Sequence, residues 1–281
     1  MSHPPNLDEA TVVGFGREWS AFDQAGLEDA ELDALFAQYF AVFPWERVGR
    51  DAVGFDLGCG SGRWARRDAP RVGTLHCIDA SGDALAVARR NLAGIDNCVF
   101  TQASVDALPL APQSMDFGYS LGVLHHVPDT EAGLRACAHV LRPGAPLLVY
   151  LYYAFDNRPG WYRALWRASD ALRRRLSRAP HRVKLAVTSV IAVAVYLPLA
   201  RAAALARRAG LRAQSWPLAY YADRSLYTMR TDAYDRFGTR LEQRFTREQI
   251  AAMLTRAGFE DVRFSDGEPF WCAVATRGGG R

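Results

Sequence analysis

The sequence predicts an α/β chain, and three observations carry that reading. Gly54-Phe55-Asp56-Leu57 is a short apolar strand that breaks into a glycine loop, Gly58-Cys59-Gly60-Ser61-Gly62, and then opens a helix at Arg63-Trp64. Thr74–Asp79 is a second apolar strand, closed by a carboxylate and followed by a helix running from Ala80-Ser81-Gly82-Asp83 through Asn91. Strands and helices then keep alternating as far as Tyr153, the order expected of a sheet wrapped by crossover helices.

In the first element, glycines at 58, 60 and 62 let the backbone pass close beneath a ligand, in conformations a Cβ obstructs. The following helix is expected to aim its free amides and positive dipole end at that ligand. The spacing Asp-x-Gly-x-Gly-x-Gly is not the dinucleotide G-x-G-x-x-G, because Gly62 falls one place early. It resembles motif I of the class I S-adenosylmethionine-dependent methyltransferases. Asp79 lies 19 residues past Gly60. Its two oxygens suit the two hydroxyls of a ribose, and the same residue also suits the N-cap of the next helix.

The third strand leads into Gln102-Ala103-Ser104-Val105-Asp106-Ala107-Leu108-Pro109, where the family usually carries an acid facing the adenine amino group. Here that position is Ser104, so Ser104, the Val105 backbone or Asp106 has to serve. Ser114–Leu121 reads as the fourth strand. Its exit, Leu124-His125-His126-Val127-Pro128-Asp129, is similar to the Leu-His-His-x-Pro-Asp pattern of the family's small-molecule branch. A helix to Leu141, an Arg142-Pro143-Gly144 turn and a strand at Pro146–Tyr153 extend the resemblance over roughly residues 50–154. The resemblance implies a Rossmann-like, seven-stranded sheet whose last strand is antiparallel. It implies S-adenosyl-L-methionine as cofactor, held by Asp56, Gly58, Cys59, Gly60, Asp79, Ala80, Ser104, Val105 and Leu121. It also puts His125 and His126 beside the reacting methyl group. Either histidine suits a general base, His126 being favoured by the His-x-Pro-Asp pattern, and both also suit a structural turn.

The pattern resumes at Phe245. Thr246 and Gln249 have capping-box spacing, Ile250, Met253, Leu254 and Ala257 form an apolar stripe, and Gly258 ends the helix. Asp261–Phe264 and Phe270–Thr276 are the last two strands. Residues 155–244 are therefore a mostly helical insertion between strand 5 and the next helix, too long for a passive loop. Three regions are expected: an N-terminal helical cover (1–47), a cofactor-binding core (48–154 and 245–281) and the insertion. In the cover, Phe15, Arg17 and Trp19 are placed to close on the cofactor or to pack. A helix near Leu27–Phe43 stops before Pro44.

Charge separates the insertion from the rest. Residues 155–244 hold 18 Lys and Arg against 6 Asp and Glu, a net of +12 within a total of +4. Trp161, Leu165, Ala168, Leu172 and Leu176 share one helical face, with arginines around much of the remainder. Leu185–Ala200 then carries no charge, and at 16 residues it is short for a span of ~20. Three readings stay open: lid helices packed on the core or on a second subunit, contact with a membrane surface, and a true span. Tyr220–Gly238 mixes aromatics with alternating charges, a composition suited to a substrate wall, with a solvated loop as the alternative. The substrate candidates are Tyr152, Tyr153, Asn157, Arg158, Tyr227 and Arg230.

The five cysteines (59, 77, 98, 137 and 272) show no paired spacing, so neither disulfide nor metal is expected. Met1–Pro5 resembles no export signal, which points to a cytoplasmic chain, peripheral at the inner membrane face if the insertion meets lipid. The expected reaction is methylation of an O or C atom on a small-molecule or lipid-linked acceptor. The alternatives are a nucleic-acid or protein methyltransferase and a membrane-associated scaffold that only binds the cofactor. Nucleic acid is disfavoured because strand 4 lacks Asn/Asp-Pro-Pro-Tyr. Oligomer formation stays open.

Overall fold

The computed structural model describes residues 6–213 and 216–279; the Met1–Pro5 stretch behind the export argument and the end of the glycine-rich tail lie outside them. The seven-stranded sheet comprises β1 (Val53–Leu57), β2 (Thr74–Asp79), β3 (Cys98–Gln102), β4 (Phe117–Leu121), β5 (Pro146–Tyr150), β6 (Phe259–Phe264) and β7 (Cys272–Arg277). The spatial order is β3-β2-β1-β4-β5-β7-β6. Neighbours from β3 to β5 pair in parallel, and β7 runs antiparallel to both β5 and β6. The reversed last strand is thus where the sequence expects it. β4 is buried at all five positions and β5 at its first four, as strands covered on both faces must be. The order reverses between β1 and β4, so the crevice at their carboxyl ends is where such sheets take ligands.

The chain divides into two compact units. The first takes the chain up to Ala25, Leu32–Ala154 and the part from Leu241 onward. Its core gathers Phe55, Ile78, Leu124, Leu134, Leu147, Ile250 and Phe259. Its helices start on the residues that chemistry favours. Asp8 caps α1 (Glu9–Ala21), Ser81 caps α4 (Gly82–Asn91) and Asp129 caps α5 (Thr130–Val140). α10 (Arg247–Arg256) opens on the Thr246/Gln249 capping box that the spacing predicts. α2 (Asp29–Tyr39) ends short of the expected Phe43.

One local expectation fails. The helix after the glycine loop, α3 (Ala65–Asp68), is a single turn that gives way to a 3-10 turn at Ala69–Arg71. Pro70 has no N–H and its ring obstructs the preceding turn, so no helix can grow there. A four-residue helix has little dipole to offer a ligand.

The second unit comprises residues 26–31 and 155–240. It holds α6 (Gly160–Leu176), α7 (His181–Ile191), a π turn at Ala192–Tyr196, α8 (Leu197–Arg208) and α9 (Leu226–Gly238). Two expectations are corrected here. Leu185–Ala200 is not an isolated run of 16 residues: it lies inside one continuous helix, His181–Arg208, of 28 residues. Pro198 is accommodated because the π turn directly before it already breaks the i to i−4 pattern. Tyr220–Gly238 is not a solvated loop. Its larger part is α9, whose Met229, Ala233 and Phe237 pack with Leu176, Ala192, Tyr196 and Ala200 as this unit's own core. Polar groups of this segment are tied to charged side chains elsewhere in the unit. Lys184 Nζ donates to the Gly238 carbonyl at 3.1 Å, and the Glu31 carboxylate accepts from Ser225 N and Thr228 Oγ1 at 3.1 and 2.9 Å.

Candidate active site

The glycine loop turns back on itself through two amides: Gly58 N and Cys59 N both donate to the Ile78 carbonyl, at 2.7 and 3.0 Å. Gly58 and Gly60 sit at φ +79° and +53°, the left-handed region that glycine enters without penalty. A methyl on Gly58 would come within 2.3 Å of Val123 Cγ2, and one on Gly60 within 2.9 Å of the Trp19 ring. The loop is therefore a backbone cradle whose Cβ positions are already filled by Val123 at Gly58 and by the Trp19 indole of α1 at Gly60.

Asp79 at the end of β2 locks this cradle. Its Oδ2 accepts from Gly60 N at 2.9 Å and its Oδ1 from Ser81 N at 2.8 Å. The helix cap is Ser81, not Asp79, and the carboxylate ties Gly60 of the loop to the amide of that cap residue. Burial raises its pKa, and the amides of Ser81 and Gly60 oppose that rise by favouring the charged form. Each carboxylate oxygen accepts two hydrogen bonds, so one lone pair on each is left for a pair of hydroxyls. Ala80 follows Asp79, and its carbonyl accepts from Gln102 Nε2 at 3.0 Å. Ser104 Oγ donates to Asp106 Oδ1, and Asp106 Oδ2 accepts from Asn6 N at 2.9 Å. The Ser104 hydrogen bond holds the Asp106 pKa below its usual value. Ser104 thus has acceptor capacity left for an amino group while its proton is committed. Val105 packs into the core, and Leu121 is buried at the end of β4.

Asp56 faces away from solvent beneath the loop. With Asp68 and the Tyr119 hydroxyl it forms a fully buried acidic group, and no hydrogen bond of good geometry reaches Asp56 Oδ2, either Asp68 oxygen or Tyr119 Oη. Burial, followed by repulsion from Asp68, pushes the Asp56 pKa well up; burial takes Asp68 to about 7.

His125 and His126 occupy a 3-10 turn, Leu124–His126, where β4 ends. Both are buried, but differently. His125 is 0% exposed, stacks on Tyr152 with ring centres 3.9 Å apart, and is held neutral chiefly by burial. His126 Nδ1 lies 2.6 Å from the Leu241 carbonyl. A carbonyl can only accept, so Nδ1 carries the proton, and in the neutral form of the ring the lone pair is on Nε2. The Phe15 ring of α1 packs edge-on against His126 at 4.9 Å.

The segment 241–244 completes this corner, and it was invisible in the sequence. Gln243 N donates to the His125 carbonyl at 3.0 Å and its Nε2 to the Val127 carbonyl at 2.7 Å. Arg244 pairs with Glu242 at 2.8 Å, lies 4.9 Å from the centre of the Tyr152 ring, and donates to the Tyr153 carbonyl at 3.3 Å. No regular periodicity marks these residues; only their return along the ends of β4 and β5 gives them a role.

Of the substrate candidates, Tyr152 and Tyr153 belong to this corner of the first unit. Asn157, Arg158, Tyr227 and Arg230 belong to the second. There Arg158 lies 5.5 Å from the centre of the Tyr162 ring, and Arg230 Nη2 donates to Ser189 Oγ at 3.4 Å. The five cysteines are free thiols. Among the described residues no three His, Cys, Asp or Glu side chains gather at metal-binding distance.

Comparison with known proteins bears on this geometry. Residues 55–144 match a family model described as a methyltransferase domain. Two solved structures share the fold over most of the chain. One is a candidate methyltransferase of Bacillus halodurans (14% identity, TM-score 0.51, 82% of this chain and 70% of that one). The other is described as a SAM-dependent methyltransferase of Thermotoga maritima (13%, 0.50, 95% and 99%). Residues 55–144 thus resemble a methyltransferase domain, and the sheet shares the fold of solved methyltransferases. The chain is also similar to the ubiquinone biosynthesis O-methyltransferase of Serratia proteamaculans, 32% identical over 111 residues, 38% of this chain and 44% of that protein. A namesake in Klebsiella pneumoniae is 26% identical over 168 residues, 57% and 67% respectively. The chain thus spans less than half the length of the Serratia relative.

Proposed function

We propose that this protein transfers a methyl group from S-adenosylmethionine to an oxygen or carbon of a small-molecule or lipid-linked acceptor, with His126 as general base. The observation that carries the reading is the tautomer of His126. A histidine whose Nδ1 proton is committed to the Leu241 carbonyl offers Nε2 as a proton acceptor at the carboxyl end of the sheet.

The donor set supports S-adenosylmethionine. Gly58–Gly62 supplies a left-handed glycine turn at the end of β1, Asp79 keeps lone pairs for the ribose hydroxyls, and Ser104 with Asp106 offers acceptors toward the adenine edge. Bound there, the cofactor supplies a methyl group already made electrophilic by its sulfonium. The protein's own work is positioning and the exclusion of water. His126 Nε2 takes the proton of an acceptor hydroxyl or acidic C–H. Tyr152 and the Arg244–Glu242 pair line the same corner and support a role in orienting the acceptor. The Trp19 and Phe15 contacts support α1 as a cover that opens for entry and then seals the site. The relatives' name, which specifies O-methylation, favours a hydroxyl acceptor.

The test is tritiated methyl transfer from the cofactor to a phenol series with and without an alkyl tail. Calorimetry with S-adenosylhomocysteine runs beside it. Binding with label in the extracted phenol is the expected result. Binding with no transfer to any phenol or enol overturns the hydroxyl reading, and no binding overturns the cofactor.

A further inference from the structure

We propose that the insertion docks this protein on an anionic lipid bilayer, with helix His181–Arg208 lying in the interface of one leaflet. The inference does not depend on the methyl-transfer reading.

The helix presents two unlike sides. Lys184, Thr188, Ala192, Tyr196, Ala200 and Ala203 are buried at regular spacing. That inward side meets the unit's own polar and apolar core: Lys184 bonds the end of α9, and Tyr196 and Ala200 pack beside Met229 and Phe237. The outward side is apolar over more than four turns. Every exposed side chain from Val183 to Leu199 is valine, alanine, leucine or proline, with Val190 64% and Val193 51% exposed. The helix passes the length and apolarity test for a membrane span (28 residues, mean hydropathy 2.0), yet only 28% of that window is buried.

α6 repeats the arrangement in inverted form. The stripe Trp161, Leu165 and Leu172 is exposed at 57%, 54% and 47%. The buried side carries charge: Asp170 is 2.6 Å from Arg173 and 3.1 Å from Arg174, and Arg173 also donates to the carbonyls of Thr239 and Arg240. A helix that spends ion pairs inward and turns tryptophan and leucine outward is built for an apolar neighbour outside the unit.

Charge identifies that neighbour. Residues 157–222 contain thirteen Lys and Arg and a single acid, Asp170, which is already paired. Exposed arginines border the apolar surfaces, among them Arg163, Arg167, Arg178, Arg182 and Arg208. Two copies laid face to face would bring like charges together with no acid to offset them. Lipid phosphates have the opposite sign, and apolar side chains with a cationic rim match an interfacial depth. A full span is disfavoured, because the inward side would carry Lys184 and the charged α9 into hydrocarbon.

The test is vesicle flotation of the full chain, without cofactor, on phosphatidylcholine alone and on phosphatidylcholine containing phosphatidylglycerol. Flotation only with the anionic vesicles, weakened by high salt and reduced about tenfold or more by Val187→Glu with Val190→Glu, supports docking. Both sites are exposed, and circular dichroism with S-adenosylhomocysteine binding verifies the fold of the variant. If that pair does not fold, quenching of wild-type fluorescence by brominated lipid, lost in Trp161→Phe, reports the same contact. The proposal is overturned if the chain stays at the bottom of both gradients. It is also overturned if light scattering shows a dimer that the valine variants dissociate, or if alkaline carbonate fails to release the chain from membranes.

Discussion

Replacing Asp68 by Asn should make the protein more stable at pH 8 and leave it unchanged near pH 4. Asp68 is fully buried beside Asp56 and Tyr119, and burial takes its pKa from 3.8 to about 7. In the unfolded chain it titrates near the ordinary value, so between those two pH values the folded protein holds the proton more tightly. Its favourable contribution is complete below the unfolded pKa and disappears as pH rises through the folded one. A shift of about three units corresponds to about 4 kcal/mol at ~1.36 kcal/mol per unit; coupling to Asp56 leaves ~2–4 kcal/mol. Asn has similar shape and no charge, so it should recover that amount at pH 8. For a unit of this size the gain is roughly 5–15 °C in Tm. Urea unfolding of wild type and Asp68→Asn at pH 4, 5, 6, 7 and 8, compared at each pH, isolates the site from every other titrating group. A difference that does not grow with pH, or a variant weaker than wild type at pH 8, would refute the argument.

Other expectations follow from the site. His126→Ala should lower kcat about 10²–10⁴-fold while leaving S-adenosylhomocysteine affinity intact; stopped-time product assays beside calorimetry separate the two. Asp79→Asn removes a charged acceptor from Gly60 and Ser81, and calorimetry should show S-adenosylhomocysteine binding weakened roughly 10–100-fold. Gly58→Ala sets a methyl 2.3 Å from Val123 in a left-handed backbone, costing ~2–4 kcal/mol by denaturant unfolding. Adding Val123→Ala should relieve the clash and leave the backbone penalty of ~1–2 kcal/mol. Equal losses in the single and double variants would show that packing is not the cause.

The alternating strands, the glycine loop with its carboxylate 19 residues on and the reversed closing strand were all legible in the sequence. Those features are written in local chemistry: apolar runs, caps such as Thr246 with Gln249, and glycine where the backbone turns left-handed. The sequence also brought His125 and His126 forward, favouring His126 only through the His-x-Pro-Asp resemblance. Only the tertiary structure assigned the tautomer, because the deciding partner is a backbone carbonyl 115 residues away in a segment with no pattern of its own. Likewise the stripe from Trp161 to Leu172 and the valines after Arg182 were legible as apolar, but periodicity cannot tell a buried face from an exposed one. Which side turns inward depends on where Lys184 and Asp170 find their partners, and those contacts exist only in the folded chain.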